Sequence, residues 1–160
     1  MEGPSPCVSI DFIVIMDYNH AMRIIMVSAC LLGIETRYDG RSKPLFEAGR
    51  DDIVIPFCPE QFGSMNTPRP KATLSCSACD IIKSIGGVIN ENGSDVTGLF
   101  IVGARRSAAL AKSINPDLIY LKEYSPSCGL NFTNINWERK RGMGIAAYLL
   151  NESGFNLDSM

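Results

Sequence analysis

The sequence has no long apolar run and no marked excess of charge of either sign. None of its apolar stretches approaches the roughly 20 residues that a membrane-crossing helix needs. The formal charge of −2 over 160 residues gives no general attraction to nucleic acid or to an anionic membrane. We therefore expect neither a membrane protein nor a binder of polymeric nucleic acid, and an anionic ligand would need local arginines.

The N-terminus lacks the features of a secretory signal. Its apolar stretch, residues 10–16, contains an acidic residue and comes after Glu2 instead of a basic segment. We expect a cytoplasmic protein, in which reduced thiols favour metal or redox chemistry over disulfides for the six cysteines. Residues 1–21 share no pattern with the rest of the chain, and we predict a loosely ordered extension that holds Cys7 and the single histidine, His20.

The length and composition suit one compact domain. A chain of 160 residues with 46% hydrophobic and 20% charged residues has room for one proper core and too little for two ordinary domains. We place the domain at residues 22–151, and the remaining 152–160 are predicted to be a C-terminal tail.

Three short apolar runs each precede a cysteine. Runs of this length, rich in Ile, Val and Leu and bounded by Gly, Pro or Asp, predict buried strands. The runs occupy residues 23–29, 53–57 and 117–123, and the cysteines after them are Cys30, Cys58 and Cys128. Loops at one edge of a sheet could bring these cysteines together despite their separation in sequence, although spacing alone does not establish a site.

Helical patterns separate the predicted strands. One helix is predicted over about residues 96–113, ended by Asn115-Pro116, and another over 142–151; the turn ENGSD, residues 91–95, indicates a small hairpin before the first helix. This order predicts a single α/β domain with a largely parallel sheet flanked by helices, a Rossmann-like three-layer arrangement. Ligands in such folds gather outside the carboxyl ends of the strands, where the three cysteines fall.

Cys76 and Cys79 form a C-x-x-C, which is the more familiar local signal for metal or redox chemistry. A zinc site would need a second pair, and a thioredoxin-like site would need the pair to open a helix after a strand. Ser75, Ser77 and Asp80 around the pair predict a loop. A non-catalytic metal-binding or redox module based on this pair remains an alternative function, as does a sulfur carrier that binds sulfide without turnover.

Six short motifs carry a resemblance to a known family. They are SACLLG at 28–33, RYDG at 37–40, CPEQ at 58–61, TPRP at 67–70, SDVT at 94–97 and KEYSPSCG at 122–129. In this order and with these gaps they resemble the DUF523 family over about residues 22–151. The resemblance implies hydrolytic removal of sulfur from a small thiolated pyrimidine base or nucleotide, of the thiouracil or 4-thiouridine type, with release of sulfide.

The resemblance also implies a cofactor and its ligands. A 4Fe-4S cluster would be held by Cys30, Cys58 and Cys128, which leaves one iron without a protein ligand, and the iron–sulfur assembly machinery would be a partner. The family's acid/base carboxylate corresponds to Glu60, and its active-site serine corresponds to Ser125. On the residues alone, Glu60 would be taken for a solvated carboxylate beside a turn.

Three further residues are candidates for substrate binding. Arg37 and Arg69 lie in loops expected at the same sheet edge and could clamp a phosphate, although loop arginines also pair with carboxylates such as Asp39. Tyr38 could stack on a pyrimidine or pack against its own turn. The segment after Cys128 is shorter and more basic than the family's usual connection, a departure that bears on substrate choice.

Overall fold

The computed structural model describes residues 22–160, so the predicted extension, residues 1–21 with Cys7 and His20, lies outside the described residues. The strands are Arg23–Ser28 (β1), Asp52–Phe57 (β2), Ala72–Leu74 (β3), Val88–Asn90 (β4), Leu118–Leu121 (β5), Phe132–Ile135 (β6), Glu138–Arg141 (β7) and Leu157–Ser159 (β8). The α-helices are Pro59–Phe62 (α1), Ala78–Ile82 (α2), Thr97–Ile114 (α3) and Ile145–Glu152 (α4), and a 3₁₀ helix covers Ala29–Leu32. No helix within this part of the chain combines the length and the apolar character that crossing a membrane requires.

The first sheet contains four parallel strands in the order β2-β1-β5-β8. Strand β1 is central, and Val27 lies opposite Pro56 on one side and Tyr120 on the other. Because both faces of β1 are covered, its buried residues Ile25, Met26 and Val27 are consecutively apolar instead of alternating with polar residues. The predicted α/β fold with a largely parallel sheet is confirmed.

Helices α3 and α4 cover one face of this sheet. Met26 and Leu121 point to this side and pack with Ala111 of α3 and Leu150 of α4, all fully buried. Burial of each large apolar side chain stabilises the fold by about 1.5–3 kcal/mol. Alanines on α3 allow the helix to lie close to the strands.

The opposite face of the first sheet has a different cover. Ile25 and Val27 pack there against Leu31 of the 3₁₀ helix and against Phe46 of the loop after it. The ring of Phe46 lies 5.0 Å from that of Tyr120, centroid to centroid. The third layer of the three-layer arrangement is therefore a 3₁₀ helix and a loop, where the sequence pattern predicted α-helices.

A second, mixed sheet has the order β4-β3-β6-β7. Only β3 and β6 are parallel in it, and the two outer pairs are antiparallel. Strands β6 and β7 form a hairpin whose two-residue turn, Asn136 and Trp137, has φ values of 52° and 65°; positive φ at both positions is typical of a type I′ turn. The hairpin predicted around residues 91–95 is reduced to a single bridge between Ile89 and Asp95, since β4 pairs along β3.

Two segments that were predicted to be irregular are regular. The predicted loop around the C-x-x-C is wrong, because Ser77 caps α2: its hydroxyl accepts a hydrogen bond from the backbone N–H of Asp80 at 3.2 Å. Residues 152–160, predicted to be a tail, contain β8, which pairs with β5 from Ile119 to Leu121. That segment completes the first sheet.

Helix α1, which begins immediately after Cys58, packs directly on α3. A Cβ atom on Gly103 would collide with the carbonyl oxygen of Pro59, so only glycine permits the two backbones to come this close. Arg106 of α3 also donates a hydrogen bond of 2.6 Å to the carbonyl oxygen of Phe62, at the end of α1. These contacts hold Glu60, the second residue of α1, in a fixed position.

Candidate active site

The three predicted cluster ligands meet at the carboxyl edge of the first sheet. Cys30 lies in the 3₁₀ helix after β1, Cys58 caps α1 directly after β2, and Cys128 lies in the loop after β5. Strands β2, β1 and β5 are neighbours, so their ends lie side by side. The Cys128 thiol interacts electrostatically with both Cys58 and Cys30, and all three cysteines are free thiols.

The surroundings of these cysteines disfavour bare thiolates. Burial raises the pKa of the Cys30 thiol to about 11, and the neighbouring Cys58 contributes to that rise. Burial likewise raises the pKa of Cys58, and it raises the pKa of Cys128 well above its ordinary value. Three adjacent thiolates in a buried site need a compensating positive charge, which bound iron supplies. The donor set therefore fits an iron–sulfur cluster.

The same cysteines do not fit a single ion. Among residues 22–160, no three His, Cys, Asp or Glu side chains are arranged to hold one metal ion. A four-iron cluster requires a different ligand geometry. Each cysteine binds its own iron, so the sulfur atoms need not converge on one point.

A cavity of about 320 Å³ lies between the cysteines and the second sheet. Cys30 and Cys58 line it, whereas Cys128 is buried behind the lining residues Ser125 and Pro126. The predicted catalytic and substrate-binding residues all line this one cavity, namely Glu60, Ser125, Arg37, Tyr38 and Arg69. Its volume is in the range of small-molecule sites.

Both carboxylate oxygens of Glu60 are engaged. Arg69 Nε donates to Oε2 at 2.5 Å, and the hydroxyl of Ser127 donates to Oε1 at 3.2 Å. The Glu60 side chain is only 13% exposed, and Arg69 is 8% exposed. Glu60 is thus a largely buried, oriented carboxylate at the cavity wall, not a solvated side chain.

The structure places Arg69 as a support for Glu60. Its remaining N–H groups donate to the carbonyl oxygen of Thr36 at 3.0 Å, to that of Asn66 at 3.3 Å and to the hydroxyl of Thr67 at 3.1 Å. A guanidinium with this many internal partners has little capacity left for a phosphate. Its predicted role as a substrate clamp remains a prediction.

This buried ion pair yields a stability prediction. Replacing Arg69 by methionine leaves the Glu60 charge buried without its partner, and we expect the free energy of unfolding to fall by about 3 kcal/mol. Urea unfolding at neutral pH measures the change. The matched control is Arg37→Met, since the Arg37–Asp39 pair is 29% and 24% exposed and is expected to contribute less than about 1 kcal/mol. Equal losses in the two variants would contradict this assignment.

Ser125 organises the loop that carries Cys128. Its hydroxyl oxygen accepts hydrogen bonds from the backbone N–H groups of Ser127 and Cys128, each at 3.1 Å. The N-terminus of α4 holds the same loop, because Ala146 N–H donates to the carbonyl oxygen of Ser127 at 2.9 Å. Ser125 therefore fixes the position of Cys128 and also reaches the cavity, and its catalytic role remains a prediction.

Three comparisons with known proteins agree on the family. A family model described as 2-thiouracil desulfurase matches residues 25–159. The chain belongs to this family.

YbbK from Bacillus subtilis (strain 168) is 34% identical over 143 residues, which cover 85% of this chain and 95% of that protein. A solved structure of the 4Fe-4S-dependent thiouracil desulfidase TudS (DUF523Vcz) has a TM-score of 0.72 and 34% identity, covering 86% of this chain and 90% of that one. The resemblance to DUF523 is thus confirmed, and it indicates an enzyme of the desulfidase type.

The desulfurase-family motif around Arg37 forms one side of the cavity mouth. Arg37 pairs with Asp39 at 3.1 Å, as an ordinary loop arginine would. Tyr38 is 38% exposed, and its carbonyl oxygen accepts a hydrogen bond of 2.8 Å from the backbone N–H of Arg69. Its ring therefore has room to stack on a ligand, and the substrate-binding roles of both residues remain predictions.

Other cavity residues of this family member were not predicted from the sequence. Lys122 and Tyr124 lie within the KEYSPSCG motif, so the motif itself was a signal for both of them. Arg139 is contributed by the β6–β7 hairpin, and its guanidinium lies 4.5 Å from the centroid of the Tyr124 ring. Asn134, on the same hairpin, also lines the cavity. Burial lowers the pKa of Lys122, which stands close to Cys30.

Cys76 and Cys79 lie away from this cavity. Neither lines the cavity, and Cys76 donates a hydrogen bond of 3.0 Å to the carbonyl oxygen of Ile85. A hydrogen bond with Tyr148 lowers the pKa of the Cys79 thiol. The described residues offer this pair no third side chain for a metal ion.

Proposed function

We propose that this chain is a 4Fe-4S-dependent desulfidase that replaces C=S with C=O in a thiolated pyrimidine base or nucleotide, of the thiouracil or 4-thiouridine type. Water supplies the oxygen and sulfide leaves, so the reaction needs no net electron transfer. The observation that carries the proposal is one cavity that joins Cys30 and Cys58 to the buried, oriented carboxylate of Glu60. Such a cavity, with few polar groups of fixed position, is typical of a small-molecule site.

Cys30, Cys58 and Cys128 would hold the cluster. When bound, the cluster would supply an iron without a protein ligand, a soft Lewis acid that would polarise the thiocarbonyl. The chain contributes three neighbouring thiols and, with Lys122 and Arg37, positive charge beside Cys30. Those cations stabilise negative charge on the thiolates.

Glu60 would act as the general base and acid. Its carboxylate takes a proton from the attacking water and returns it to the ring or to the departing sulfide, a role that needs the carboxylate within hydrogen-bond reach of both. The hydrogen bonds from Arg69 and Ser127 fix the direction of its lone pairs. They also keep the carboxylate in one orientation, which lowers the entropic cost of reaching the reactive geometry.

The rest of the cavity would position the ring. Tyr38 would stack on the pyrimidine, and Arg37 would meet an anionic substituent at the mouth. Lys43, Lys71 and Arg139 add positive charge to the lining, which supports a nucleotide among the substrates. We place the reaction in the cytoplasm, where the iron–sulfur assembly machinery would load the cluster.

The direct test is sulfide release by protein reconstituted anaerobically with iron and sulfide. We expect turnover of 2-thiouracil or of 4-thiouridine monophosphate, with the corresponding oxo compound formed in equal amount. The matched control is a Cys76→Ser/Cys79→Ser variant, which we expect to remain fully active because neither cysteine lines the cavity.

Two outcomes would refute this proposal in favour of the alternatives. Loss of all activity in the control variant would point to a redox or metal module on the C-x-x-C. Binding of sulfide without formation of any oxo product, in protein with an intact cluster, would indicate a sulfur carrier.

A further inference from the structure

One buried polar atom in the cavity wall lacks a partner. Asn134 is 8% exposed, and its Oδ1 atom accepts no hydrogen bond from any part of residues 22–160. Buried side-chain oxygen atoms almost always have a partner, because an unsatisfied one costs about 1–3 kcal/mol. The partner of this oxygen is a water or a ligand, or lies outside the described residues.

The β6–β7 hairpin determines which way Asn134 faces. Asn134 lies directly opposite Arg139, and side chains at paired positions share one face of a hairpin. Both residues line the cavity. Thr133 lies on the other face and attaches the hairpin to the Cys128 loop, since its hydroxyl donates a hydrogen bond of 2.9 Å to the carbonyl oxygen of Ser125. The hairpin thus presents Asn134 to the cavity and Thr133 to the protein.

The cation opposite Asn134 on the hairpin does not satisfy its side-chain oxygen. Arg139 is its direct partner across the hairpin, but the guanidinium lies over the Tyr124 ring, 4.5 Å from the centroid. Oδ1 of Asn134 consequently stays free while a strong donor lies beside it. This arrangement leaves the amide available to a molecule in the cavity.

We propose that Asn134 recognises the lactam edge of the substrate ring, an inference that rests on the proposed function. A side-chain amide presents an acceptor and a donor side by side, which is the complement of a ring N–H next to a ring carbonyl. If the sulfur at C4 is directed to the cysteines, the N3–H and the C2 carbonyl form the adjacent donor and acceptor that a base and a nucleotide share. The amide would therefore select uracil-type rings and reject rings that are blocked at N3.

The test compares 4-thiouracil with its N3-methyl derivative, which lacks the N3–H and keeps the N1–H. We expect cluster-loaded wild-type protein to prefer 4-thiouracil. In Asn134→Leu, kcat/KM for 4-thiouracil should fall by about 10- to 100-fold, while the value for the methyl derivative stays the same. The preference then disappears. The control is Lys140→Gln, on the opposite face of the same hairpin, where the ammonium group forms an ion pair with the exposed Glu138. This variant should keep the wild-type preference.

A structural role for Asn134 predicts a different result. Leucine has a similar size and no polar atoms, so removing an unsatisfied acceptor should leave the thermal unfolding midpoint of the free protein unchanged or higher. A lower midpoint, together with an equal loss for both compounds, would overturn the assignment. An unchanged preference in Asn134→Leu would also overturn it.

Binding of the sulfur-free rings separates this inference from the proposed function. Titration of wild type and Asn134→Leu with uracil and 3-methyluracil, monitored by ligand-observed NMR, requires no turnover. Selective uracil binding that Asn134→Leu abolishes would support the role of Asn134 even if no sulfide were released. Turnover without any change in selectivity would leave the desulfidase intact and refute the role of Asn134.

Discussion

Replacing Glu60 by glutamine is expected to lower kcat by about 100- to 10,000-fold, the usual contribution of a general acid/base. The amide keeps the size of the carboxylate, and its single oxygen can still accept the hydrogen bond from Arg69. Its NH2 group can donate to the hydroxyl of Ser127, which donates to Glu60 in the wild type. The amide cannot take up a proton from water. The measurement is sulfide release under anaerobic conditions, beside the iron content of the same preparation.

The iron content decides how a loss of activity is interpreted. Glu60 is not a proposed ligand, so Glu60→Gln should retain the visible absorption and the iron of wild type. Gln61→Glu is a matched control, since Gln61 is exposed on the same short helix and its side chain bonds only to Thr67 among the described residues. Full activity in Glu60→Gln would disprove the proposed role of the carboxylate. Loss of iron in Glu60→Gln would instead make Glu60 part of the cluster site.

Replacing Cys30 by alanine is expected to abolish both cluster binding and turnover. Two cysteines would remain where the proposed cluster has three, and neither Glu60 nor Lys122 is a suitable soft ligand. The apo-protein should still fold, because cysteine behaves as a small apolar side chain and alanine leaves only a small void. Cluster binding is measured as iron and acid-labile sulfide per chain. Folding of the apo-protein is measured by far-ultraviolet circular dichroism.

Cys76→Ala is the control for this variant. Cys76 is partly exposed and outside the cavity, so its loss should change neither the iron content nor the turnover. A cluster that survives in Cys30→Ala with full occupancy would show that Cys30 is not a ligand. A cluster lost in Cys76→Ala would move the site to the C-x-x-C.

The first sheet was predictable because its strands β1, β2 and β5 each contain their own signal. Strand β1 is a compact run of apolar residues ended by a turn, and β2 and β5 repeat the pattern before Cys58 and Cys128. Parallel strands place their carboxyl ends together, so the cysteines could be grouped before any contact was known. The family resemblance then gave these three the predicted role of ligands to a 4Fe-4S cluster.

The second sheet was not predictable because its strands carry weak local signals. All four residues of β7, Glu138–Arg141, are exposed and charged, with no apolar alternation. The turn before it places Trp137 at a positive φ, where Gly is the usual residue. That turn is held by long-range contacts: Asn136 N–H donates to the carbonyl oxygen of Leu74 and Trp137 N–H to the hydroxyl of Thr73. Asn134 reaches the cavity through these contacts.

The hydrogen-bond partners of Glu60 in the active site could not be predicted from the sequence either. Its two partners lie 9 and 67 residues away in the sequence, at Arg69 and Ser127. The motif CPEQ placed Glu60 near the proposed cluster, but no spacing indicates that an arginine in TPRP would pair with it.

Helix α2 is a different case, because Ser77 and Asp80 have the spacing of a helix N-cap. A helix of only five residues gave too little periodicity to support that signal.

Strand β2 forms an outer edge of the first sheet, and its sequence limits how molecules of this protein associate. An exposed edge can act as a template for a strand from another chain, which leads to aggregation. Pro56 removes one N–H donor from β2, and the ion pair of Arg23 with Asp52 places charge at the start of this edge. Strand addition along β2 is therefore disfavoured. Phe57 and Cys58, at the end of this edge, line the cavity. The features that disfavour strand addition along β2 therefore also disfavour the attachment of a second chain beside the cavity.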